Sequence, residues 1–587
     1  MNSRMKPRLA RGGLPWAFLE GYKADFRGEW PTVHQMFFIT AKRFPTRACF
    51  TDFDANGRKV TLTYEEAANK VRALAHFLLQ SGIQKGDRVA LSGKNSSEWA
   101  VVYLAALTCG AVICPIDWAL HLEELENLLV TAQPKFFFVD EEKFLSFAQR
   151  TEFKAFCLSP KYPASFVGNL ADKSADLSGL DLFATSEEDV AAILFTSGTM
   201  GKPKGVMLTH KNLVSDTFIA RTKMYFNETD VFYALLPIHH AYTMLAVFLE
   251  SISAGCELVF AKSMAVSRML RELKEGRVTL LLGVPMLFNK LLDGIMKGIK
   301  DKGPLVNAAL HLMMAFSYVV KKVFKVNIGK LLFRRVLDKA SIASLRIAIC
   351  GGGPLAADVC KRYNEMGIDF VQGYGLTETS PIIALNPKDH FKIESVGQYF
   401  FPYMEMKILN PSADGIGEVA VKGPMVFKGY YQMPDETAKA FTTDGFFKTG
   451  DLGRLDSEGY LILAGRDKNM VVTEGGKNVY PEEIESAFQL CPQITQITVR
   501  GYVANAATRS EQIEALVYPS DELLAKLGIS REGASQDERV SSEVWHIVSA
   551  VNKTLQPYAR ISRITLLDAP LEMTTTQKVK RASLSKL

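Results

Sequence analysis

The segment 195–210 concentrates residue types that bind phosphate. It follows an apolar run, residues 191–195, that is typical of a β-strand, and it combines glycines with hydroxyl and ammonium groups. Glycines let the backbone turn tightly and bring its N–H groups close to an anion. The pattern therefore predicts a phosphate-binding loop, although a solvated, flexible loop would show the same composition. The candidate ligands are Thr196, Ser197, Gly198, Thr199 and Lys204.

This loop differs from the Walker A loop of P-loop nucleotidases. A Walker A loop requires Ser or Thr directly after its Gly-Lys pair, whereas Pro203 follows Gly201 and Lys202 here. The kinase and P-loop interpretations are therefore disfavoured, and phosphate binding of another kind has to be sought downstream.

Further clusters could complete a nucleotide site. Tyr374, Thr377 and Glu378 place an aromatic ring, a hydroxyl and a carboxylate close together in the chain, which suits stacking on a base and holding a metal-bound phosphate. Asp451 and Arg466 are suited to ribose hydroxyls. Each cluster alone could equally be a turn, a hairpin or a solvated tail, so the inference depends on their order. The clusters occupy residues 351–355, 373–379, 447–451, 465–466, 475–481 and 574–581.

The elements that must position these residues alternate along the chain. Apolar strand-like runs alternate with helical patterns, which predicts an α/β fold with mainly parallel sheets. We expect a β-rich subdomain over about 395–465, where short strands alternate with Gly-rich turns, and a return to α+β after it. This divides the chain into a large N-terminal domain, 1–465, and a small mobile C-terminal domain, 466–587. The predicted strands are residues 88–91, 111–114, 135–139, 192–195, 257–260, 280–283, 347–350 and 370–372.

Length, composition and charge limit the functional class. With 587 residues the chain is too long for a single core, and 48% hydrophobic with 22% charged residues is ordinary for a globular protein. A net charge of +6 fits anionic small molecules or a peripheral membrane contact and falls short of a nucleic-acid-binding surface. The eight scattered cysteines contain no CxxC pair and indicate buried thiols in a reducing compartment, the cytoplasm.

No segment is predicted to cross a membrane. Residues 1–11 lack the apolar core of a secretory signal, and the uncharged run 99–116 reads as a buried helix over 98–108 followed by a strand. Residues 308–337 combine apolar side chains at near-helical spacing with interleaved lysines and arginines. Such a stretch either lies in an anionic membrane interface, at the inner face of the membrane, or packs on its own domain with a basic outer face.

Taken in order, the clusters resemble the adenylate-forming superfamily of acyl-CoA synthetases and luciferase-like enzymes, over nearly the whole chain from residue 64 to 581. The resemblance is closest to long-chain fatty acyl-CoA synthetases. Residues 236–242, Leu-Pro-Ile-His-His-Ala-Tyr, resemble their proline–histidine motif, with His240 at the family histidine. Residues 294–339 are longer than the connection usual in small-acid relatives.

This resemblance implies a two-step ligation that depends on ATP. A carboxylate attacks the α-phosphate to give an acyl-adenylate and pyrophosphate, and the CoA thiol then displaces AMP. Lys578 would bridge the carboxylate and the α-phosphate, Glu378 would bind Mg²⁺, and the C-terminal domain would rotate about a hinge at Lys468, with His240 as a further catalytic candidate. The implied ATP and AMP site comprises Thr196, Ser197, Gly198, Thr199, Lys204, Gly352, Gly353, Tyr374, Gly375, Thr377, Asp451 and Arg466, and the implied CoA site comprises Gly475, Gly476 and Lys477.

The implied substrates are a long-chain fatty acid, ATP and CoA, with no nucleic-acid partner and with a monomer or a homodimer both open. A fatty acyl-AMP ligase or acyl carrier protein synthetase would share the first step and differ in the thiol acceptor. A non-catalytic nucleotide-binding homologue would keep the fold alone. The second glycine loop at Gly475 and Gly476 favours CoA, and the intact Glu378 and Lys578 favour an active enzyme.

Overall fold

The structure, a computed structural model, describes residues 13–54, 56–170, 184–196, 203–473, 477–505, 510–573, 579 and 581. Strands and helices are numbered in chain order. The predicted α/β class is confirmed, because helices flank two large sheets and a third, small sheet follows. The helices are α1 (Val33–Arg43), α2 (Tyr64–Gln80), α3 (Ser97–Thr108), α4 (Leu122–Ala132), α5 (Glu141–Phe147), α6 (Val167–Leu170), α7 (His210–Ala220), α8 (Ala241–Thr243), α9 (Glu250–Ala254), α10 (Val266–Glu275), α11 (Pro285–Lys300), α12 (Pro304–Phe324), α13 (Gly329–Leu332), α14 (Arg334–Lys339), α15 (Ala357–Glu365), α16 (Pro434–Ala440), α17 (Pro481–Ser486), α18 (Asp521–Leu527) and α19 (Glu538–Asn552).

The first sheet has seven strands. They are β3 (Arg88–Ser92), β4 (Val112–Pro115), β5 (Phe136–Val139), β6 (Lys154–Cys157), β7 (Val190–Thr196), β8 (Lys204–Thr209) and β18 (Gly429–Tyr430). Their order is β18-β8-β7-β4-β3-β5-β6. The pairs from β6 to β7 are parallel, whereas β8 is antiparallel to both β7 and β18. The edge strand β18 thus comes from a distant part of the chain.

The second sheet has thirteen strands and joins a parallel half to an antiparallel half. They are β1 (Ala48–Phe53), β2 (Lys59–Thr63), β9 (Val231–Ala234), β10 (Glu257–Phe260), β11 (Leu280–Gly283), β12 (Ile347–Cys350), β13 (Asp369–Tyr374), β14 (Ala384–Leu385), β15 (Gly397–Tyr399), β16 (Glu405–Leu409), β17 (Gly417–Lys422), β19 (Phe447–Leu455) and β20 (Tyr460–Arg466). Their order is β16-β17-β19-β20-β15-β14-β13-β12-β11-β9-β10-β1-β2. The strands of this sheet after β13 continue it with antiparallel pairing, and all of them except β14 belong to the predicted β-rich region.

The predicted strands are present. Three of them coincide with β10, β11 and β12, and the other five agree within two residues at each end. They were readable because a parallel strand covered by helices on both faces is a nearly continuous apolar run. The predicted buried helix over 98–108 is α3, in which every residue except Glu98 is buried. Its Trp99 and Tyr103 rings stack in the core that the two sheets share.

The basic stretch 308–337 forms three helices instead of one. α12 ends at Phe324 because Lys325 adopts a left-handed conformation with φ of 58°. α13 and α14 then follow separately, and Gly329 lies so close to Gly367 that a Cβ there would be 2.6 Å from its backbone nitrogen. The break is therefore fixed by packing between segments that are distant in the chain.

The last part of the described chain has its own small sheet and core. Strands β23 (Ile494–Asn505), β24 (Ser510–Pro519) and β25 (Ile561–Leu566) pair beside the short hairpin β21 (Val471–Val472) and β22 (Asn478–Val479). Their apolar side chains form a separate cluster with those of α17, α18 and α19. The boundary near residue 466, where β20 ends, stays a prediction.

Candidate functional site

The carboxyl ends of the parallel strands open into one large cleft. β11, β12 and β13 end at Gly283, Cys350 and Tyr374, and the chain leaving each strand lines the cleft. Open α/β sheets bind ligands at these ends. The cleft has a volume of ≈ 2740 Å³ and reaches the C-terminal part of the chain, including Gln489 and Arg581.

Twelve predicted site residues line this cleft together. They are Thr196, Lys204, His240, Gly352, Gly353, Tyr374, Gly375, Thr377, Glu378, Asp451, Arg466 and Lys468. Lys477 is exposed on the β21–β22 hairpin and is not among the described residues of the cleft. The other six predicted residues, Ser197, Gly198, Thr199, Gly475, Gly476 and Lys578, lie outside the described residues.

The predicted phosphate loop joins two antiparallel strands at the cleft. Thr196 at the end of β7 pairs with Lys204 at the start of β8. The Lys204 ammonium lies 2.8 Å from a carboxylate oxygen of Glu436 and 4.7 Å from the centre of the Tyr430 ring. Glu436 lies in the first turn of α16, and Tyr430 is in β18, the edge strand that pairs with β8. A phosphate that binds Lys204 must therefore displace Glu436 or share the ammonium with it.

Glu378 lies on the other side of the same tyrosine. The Tyr430 hydroxyl donates a hydrogen bond of 2.9 Å to Glu378 Oε1, and burial together with this carboxylate raises the pKa of Tyr430. Glu378 and Thr377 begin a 3₁₀ turn directly after Gly375 and Leu376. The turn needs glycine there, because a Cβ at Gly375 would lie 1.5 Å from the carbonyl oxygen of Pro381.

The residues present at this turn fit a magnesium ion. Mg²⁺ is usually held by one or two carboxylates and by substrate phosphates. Glu378 supplies a carboxylate, Thr377 supplies a hydroxyl next to it in the chain, and the Lys204 ammonium over the Tyr430 ring supplies a cation for phosphate oxygens. The donor set is made of hard oxygen ligands, as this ion requires.

Asp451 connects two other predicted nucleotide-binding residues. Its Oδ2 accepts a hydrogen bond of 2.7 Å from the Tyr374 hydroxyl, and its Oδ1 lies 2.9 Å from Nε of Arg466. The pairing follows from register, because Asp451 in β19 faces Arg466 in β20. Burial and the Asp451 carboxylate raise the pKa of Tyr374, so its hydroxyl stays protonated as the donor. Gly352, which lines the same cleft, has a φ of 79°, a conformation that favours glycine.

The histidine motif is fixed by a residue from the chain that follows β3 of the other sheet. The Asn95 side-chain amide donates hydrogen bonds to the carbonyl groups of Ala234 and Leu236, and its oxygen accepts one from the Ile238 N–H. This holds His239 and His240 at the cleft with their ring centres 4.3 Å apart. The chain after β4 lines the cleft at the same place. The segments that follow β3, β4 and β9 therefore meet here.

His239 is buried beside a carboxylate. Its Nε2 lies 3.6 Å from Oδ1 of Asp117, and burial together with His240 lowers the pKa of His239 well below its ordinary value. Ligand atoms of Asp117, His239 and His240 all lie within 4.8 Å of one another. Two imidazoles and a carboxylate are ligand types that a divalent metal such as zinc uses.

The C-terminal part reaches the same cleft at the glycine loop after β12. The Gln489 amide donates to the carbonyl oxygen of Pro354 at 2.7 Å and accepts from the Ala356 N–H at 2.9 Å. Lys468 also lines the cleft, and burial, together with the neighbouring Arg466, lowers the pKa of its ammonium.

Sequence reasoning missed several residues of this site. Tyr430, Glu436, Asp117, His239 and Asn95 all contact predicted residues or lie beside them. Asp117 and His239 follow the ends of β4 and β9, and this position was a readable signal. Glu436 follows Pro434 at a helix start, whereas its approach to Lys204 could be found only in the folded chain.

The comparisons with known proteins agree on one family. Residues 37–431 match the family described as AMP-binding enzyme, and residues 468–587 match its C-terminal domain. The feruloyl-CoA synthase of an Amycolatopsis species is 30% identical over 450 residues, which cover 75% of this chain and 80% of that protein. A long-chain-fatty-acid–CoA ligase of Bacillus subtilis is 27% identical over 557 residues, with 86% and 88% covered. The crystal structure of ATP-bound MatB from Rhodopseudomonas palustris superposes with a TM-score of 0.73 at 28% identity, with 94% and 98% covered.

Proposed function

The chain belongs to the AMP-binding enzyme family of adenylate-forming acyl-CoA ligases, and from that premise we propose that it activates a long-chain fatty acid with ATP and transfers the acyl group to CoA. The observation that carries this proposal is the cleft, where twelve residues predicted from separate clusters meet. One ATP molecule would be held in parts: its phosphates by Lys204 at the start of β8 and, through Mg²⁺, by Glu378, and its nucleoside by the Tyr374–Asp451–Arg466 group.

The cleft offers an apolar lining for an aliphatic acid. Apolar side chains from β9 and β11, from the segment between α7 and β9, and from the chain after α8 contribute to it, which supports a hydrocarbon chain over a charged diacid. The Bacillus subtilis relative is named for long-chain fatty acids, whereas the Amycolatopsis relative is named for ferulate, so an aromatic acid is the main competitor. The apolar lining includes Met224, Phe226, Phe232, Ala246, Leu280 and Leu282.

In the first step, a carboxylate oxygen bonds to the α-phosphorus while the bond to the β-phosphate oxygen breaks and pyrophosphate leaves. The protein mainly positions the reactants and neutralises charge. The Lys204 ammonium would give up its ion pair with Glu436 and contact a phosphate oxygen instead. Asp451 would accept hydrogen bonds from the ribose hydroxyls. Mg²⁺ bound at Glu378 would neutralise charge on the phosphates. Lys578 would bridge the carboxylate and the α-phosphate.

In the second step, the sulfur of CoA attacks the acyl carbon, AMP leaves, and the thiol proton passes to solvent. We propose that rotation about Lys468 withdraws Lys578 and brings the Gly475–Gly476 loop, with Lys477, to the thiol channel. His240, beside the buried His239, would lie next to the acyl group during this exchange. A domain motion of this kind would let one cleft serve two reactions.

We propose that the enzyme works in the cytoplasm, as a monomer or homodimer, with a peripheral contact at the inner face of a membrane. The eight cysteines are free thiols, and all but Cys491 are buried, which suits a reducing compartment. A long-chain acid partitions into bilayers, so an enzyme that consumes it benefits from meeting the membrane surface.

Pyrophosphate release tests this function. The purified protein would be given ATP, Mg²⁺ and a panel of acids from hexanoate to eicosanoate, with ferulate and malonate, each with and without CoA. We expect the highest kcat/KM with long-chain acids, thioester only with CoA, and a fall of about 10²–10³ in kcat for Lys578→Ala. Preference for ferulate would overturn the substrate. Pyrophosphate without thioester would indicate an acyl-AMP ligase or carrier-protein synthetase, and neither product would indicate a non-catalytic homologue.

A further inference from the structure

Helix α12 presents a long apolar stripe to solvent. Leu305 is 86% exposed and Leu312 is 74% exposed, and the four other members of the stripe are each more than half exposed. A spacing of three, four and seven residues places five of them on one face of the helix, and Phe324 follows Val323 at the helix end. Contiguous apolar surface of this kind marks an interaction site more often than scattered single residues do. The stripe, called the α12 face below, comprises Leu305, Leu312, Phe316, Val319, Val323 and Phe324.

The opposite face of α12 is anchored in the fold. Met314, Ser317 and Lys321 are buried, and the Lys321 ammonium lies 2.7 Å from Asp369 and donates a hydrogen bond of 2.7 Å to Asn364. α12 is the one helix in the described part of the chain that is long and apolar enough to cross a membrane. Its packed face and its buried ion pair hold it along the protein surface, so the exposed stripe is suited to lying in an interface.

The charges that the chain segment of the α12 face itself carries have one sign. No Asp or Glu occurs between Asp301 and Asp338, and this interval carries seven lysines and arginines. Among them Lys322, Lys325, Arg334 and Arg335 are exposed beside the stripe, and Leu331 extends the apolar surface at 78% exposure. Lys321, one of the lysines interleaved in the stretch 308–337, points inward.

We propose that the α12 face docks on an anionic lipid bilayer, with its apolar side chains among the acyl chains and its lysines and arginines on the headgroups. A basic amphipathic surface helix binds membranes through both contributions. A second copy of the chain is a poorer occupant, because a symmetric contact would oppose the same four cations to one another. The inference rests on the proposed function in one respect, since a membrane-partitioned acid gives the docking its use.

Vesicle flotation tests the docking directly. The full chain would be floated with vesicles of phosphatidylcholine alone or mixed with phosphatidylglycerol, without ATP, acid or CoA. We expect binding to the mixed vesicles that is about tenfold tighter than to phosphatidylcholine and that weakens as salt rises. The paired substitution Leu312→Glu with Phe316→Glu should lower affinity at least about tenfold. Lys322→Gln with Lys325→Gln should lower it on the mixed vesicles only.

A matched control places the same two charges elsewhere. Val130 and Leu145 are 76% and 67% exposed on α4 and α5, so Val130→Glu with Leu145→Glu should float like the wild type. Equal loss in this control, or no flotation of the wild type, would overturn the proposal. So would a dimer in sedimentation that only the α12 variants abolish, because the face would then bind a second copy. If the paired substitution at Leu312 and Phe316 lowers Tm, its loss of binding could come from unfolding. The proposal is then judged on the Lys322→Gln with Lys325→Gln variant. The flotation contains no ATP, acid or CoA. Its outcome therefore does not depend on whether the acid panel supports the proposed substrate.

Discussion

At the scale of single residues, Asp451 shows how the site is assembled from distant parts of the sequence. Its two carboxylate oxygens contact Tyr374 and Arg466, which come from different strands of the larger sheet. Each of the three was predicted from a separate cluster, and the structure places them in one hydrogen-bonded group. A buried acceptor of this kind is costly to lose, because its donors remain unsatisfied.

Substitutions at this group should weaken ATP binding in a graded way. Asp451→Asn removes the charge opposite Arg466, and we expect KM for ATP to rise about tenfold to hundredfold, since hydrogen bonds to charged groups contribute about 1.5–3 kcal/mol. Tyr374→Phe keeps the ring and removes one donor, so its rise should be smaller. ATP–pyrophosphate exchange measures both, with the exposed Tyr558→Phe as the control. An unchanged KM for ATP in both variants would show that this group does not contribute to ATP binding.

Asp216 provides a test of how the burial of a carboxyl group makes the stability of the fold depend on pH. It is fully buried, its Oδ2 accepts a hydrogen bond from the Ile382 N–H, and burial raises its pKa well above the ordinary value. The unfolded state releases this proton near pH ~3.9, so the carboxyl destabilises the fold progressively as pH rises above that value. Asp216→Asn should therefore raise Tm at pH 7 and match the wild type near pH 4.

Calorimetry across this pH range checks the sign. Asp216→Ala is the control, because it removes the charge and also the acceptor for Ile382, and should lower Tm at every pH. A Tm gain of Asp216→Asn that shrinks with rising pH would contradict the burial argument.

At the scale of elements, the sequence predicted most where burial is two-sided and least where contacts are long-range. β10, β11 and β12 were found to the residue because each is a nearly continuous apolar run, interrupted only by Glu257 at the start of β10 and Gly283 at the end of β11. β18 has only two residues, and it is a strand because β8 pairs with it. Glu436 and Tyr430 escaped prediction for the same reason, since their approach to Lys204 depends on that pairing.

The turn after β13 tolerates no side chain at Gly375, and a pair of glycines tests this. Gly375→Ala drives a Cβ into the Pro381 carbonyl and should displace Thr377 and Glu378, with a loss of about 1–3 kcal/mol of stability and a marked loss of ATP–pyrophosphate exchange. Gly294→Ala lies within α11 with nothing within 4 Å of the added Cβ, and should stabilise by about 0.5–1 kcal/mol. Similar activity in the two variants would contradict the role given to this turn.

At the scale of the whole molecule, one side chain ties the C-terminal part to the glycine loop of the cleft. Gln489 makes two hydrogen bonds there, to Pro354 and Ala356. A rotation that exchanges the surfaces facing the cleft must break both. The orientation seen in the structure therefore has a specific local support.

Removing that support should change the balance of the two half-reactions. Gln489→Ala should slow whichever step uses this orientation relative to the other, by about tenfold, because two hydrogen bonds contribute about 1–3 kcal/mol. Gln489→Glu keeps the acceptor for Ala356 and repels the Pro354 carbonyl, so it should act in the same direction. Single-turnover rates for adenylation and for thioester formation from supplied adenylate measure the ratio. An unchanged ratio in both variants would sink the two-orientation scheme.

The strand order of the two large sheets has a consequence for synthesis on the ribosome. Phe50 of β1 pairs with Leu258 of β10, and Met207 of β8 pairs with Gly429 of β18, so the early strands wait for partners that are translated much later. Until residue 430 has left the exit tunnel, the nascent chain carries open, apolar strand edges that chaperones must shield. The hairpin of β23 and β24 pairs neighbours in sequence, and it can form as soon as it emerges. During synthesis the two large sheets are therefore completed late, and the small C-terminal sheet follows soon after them.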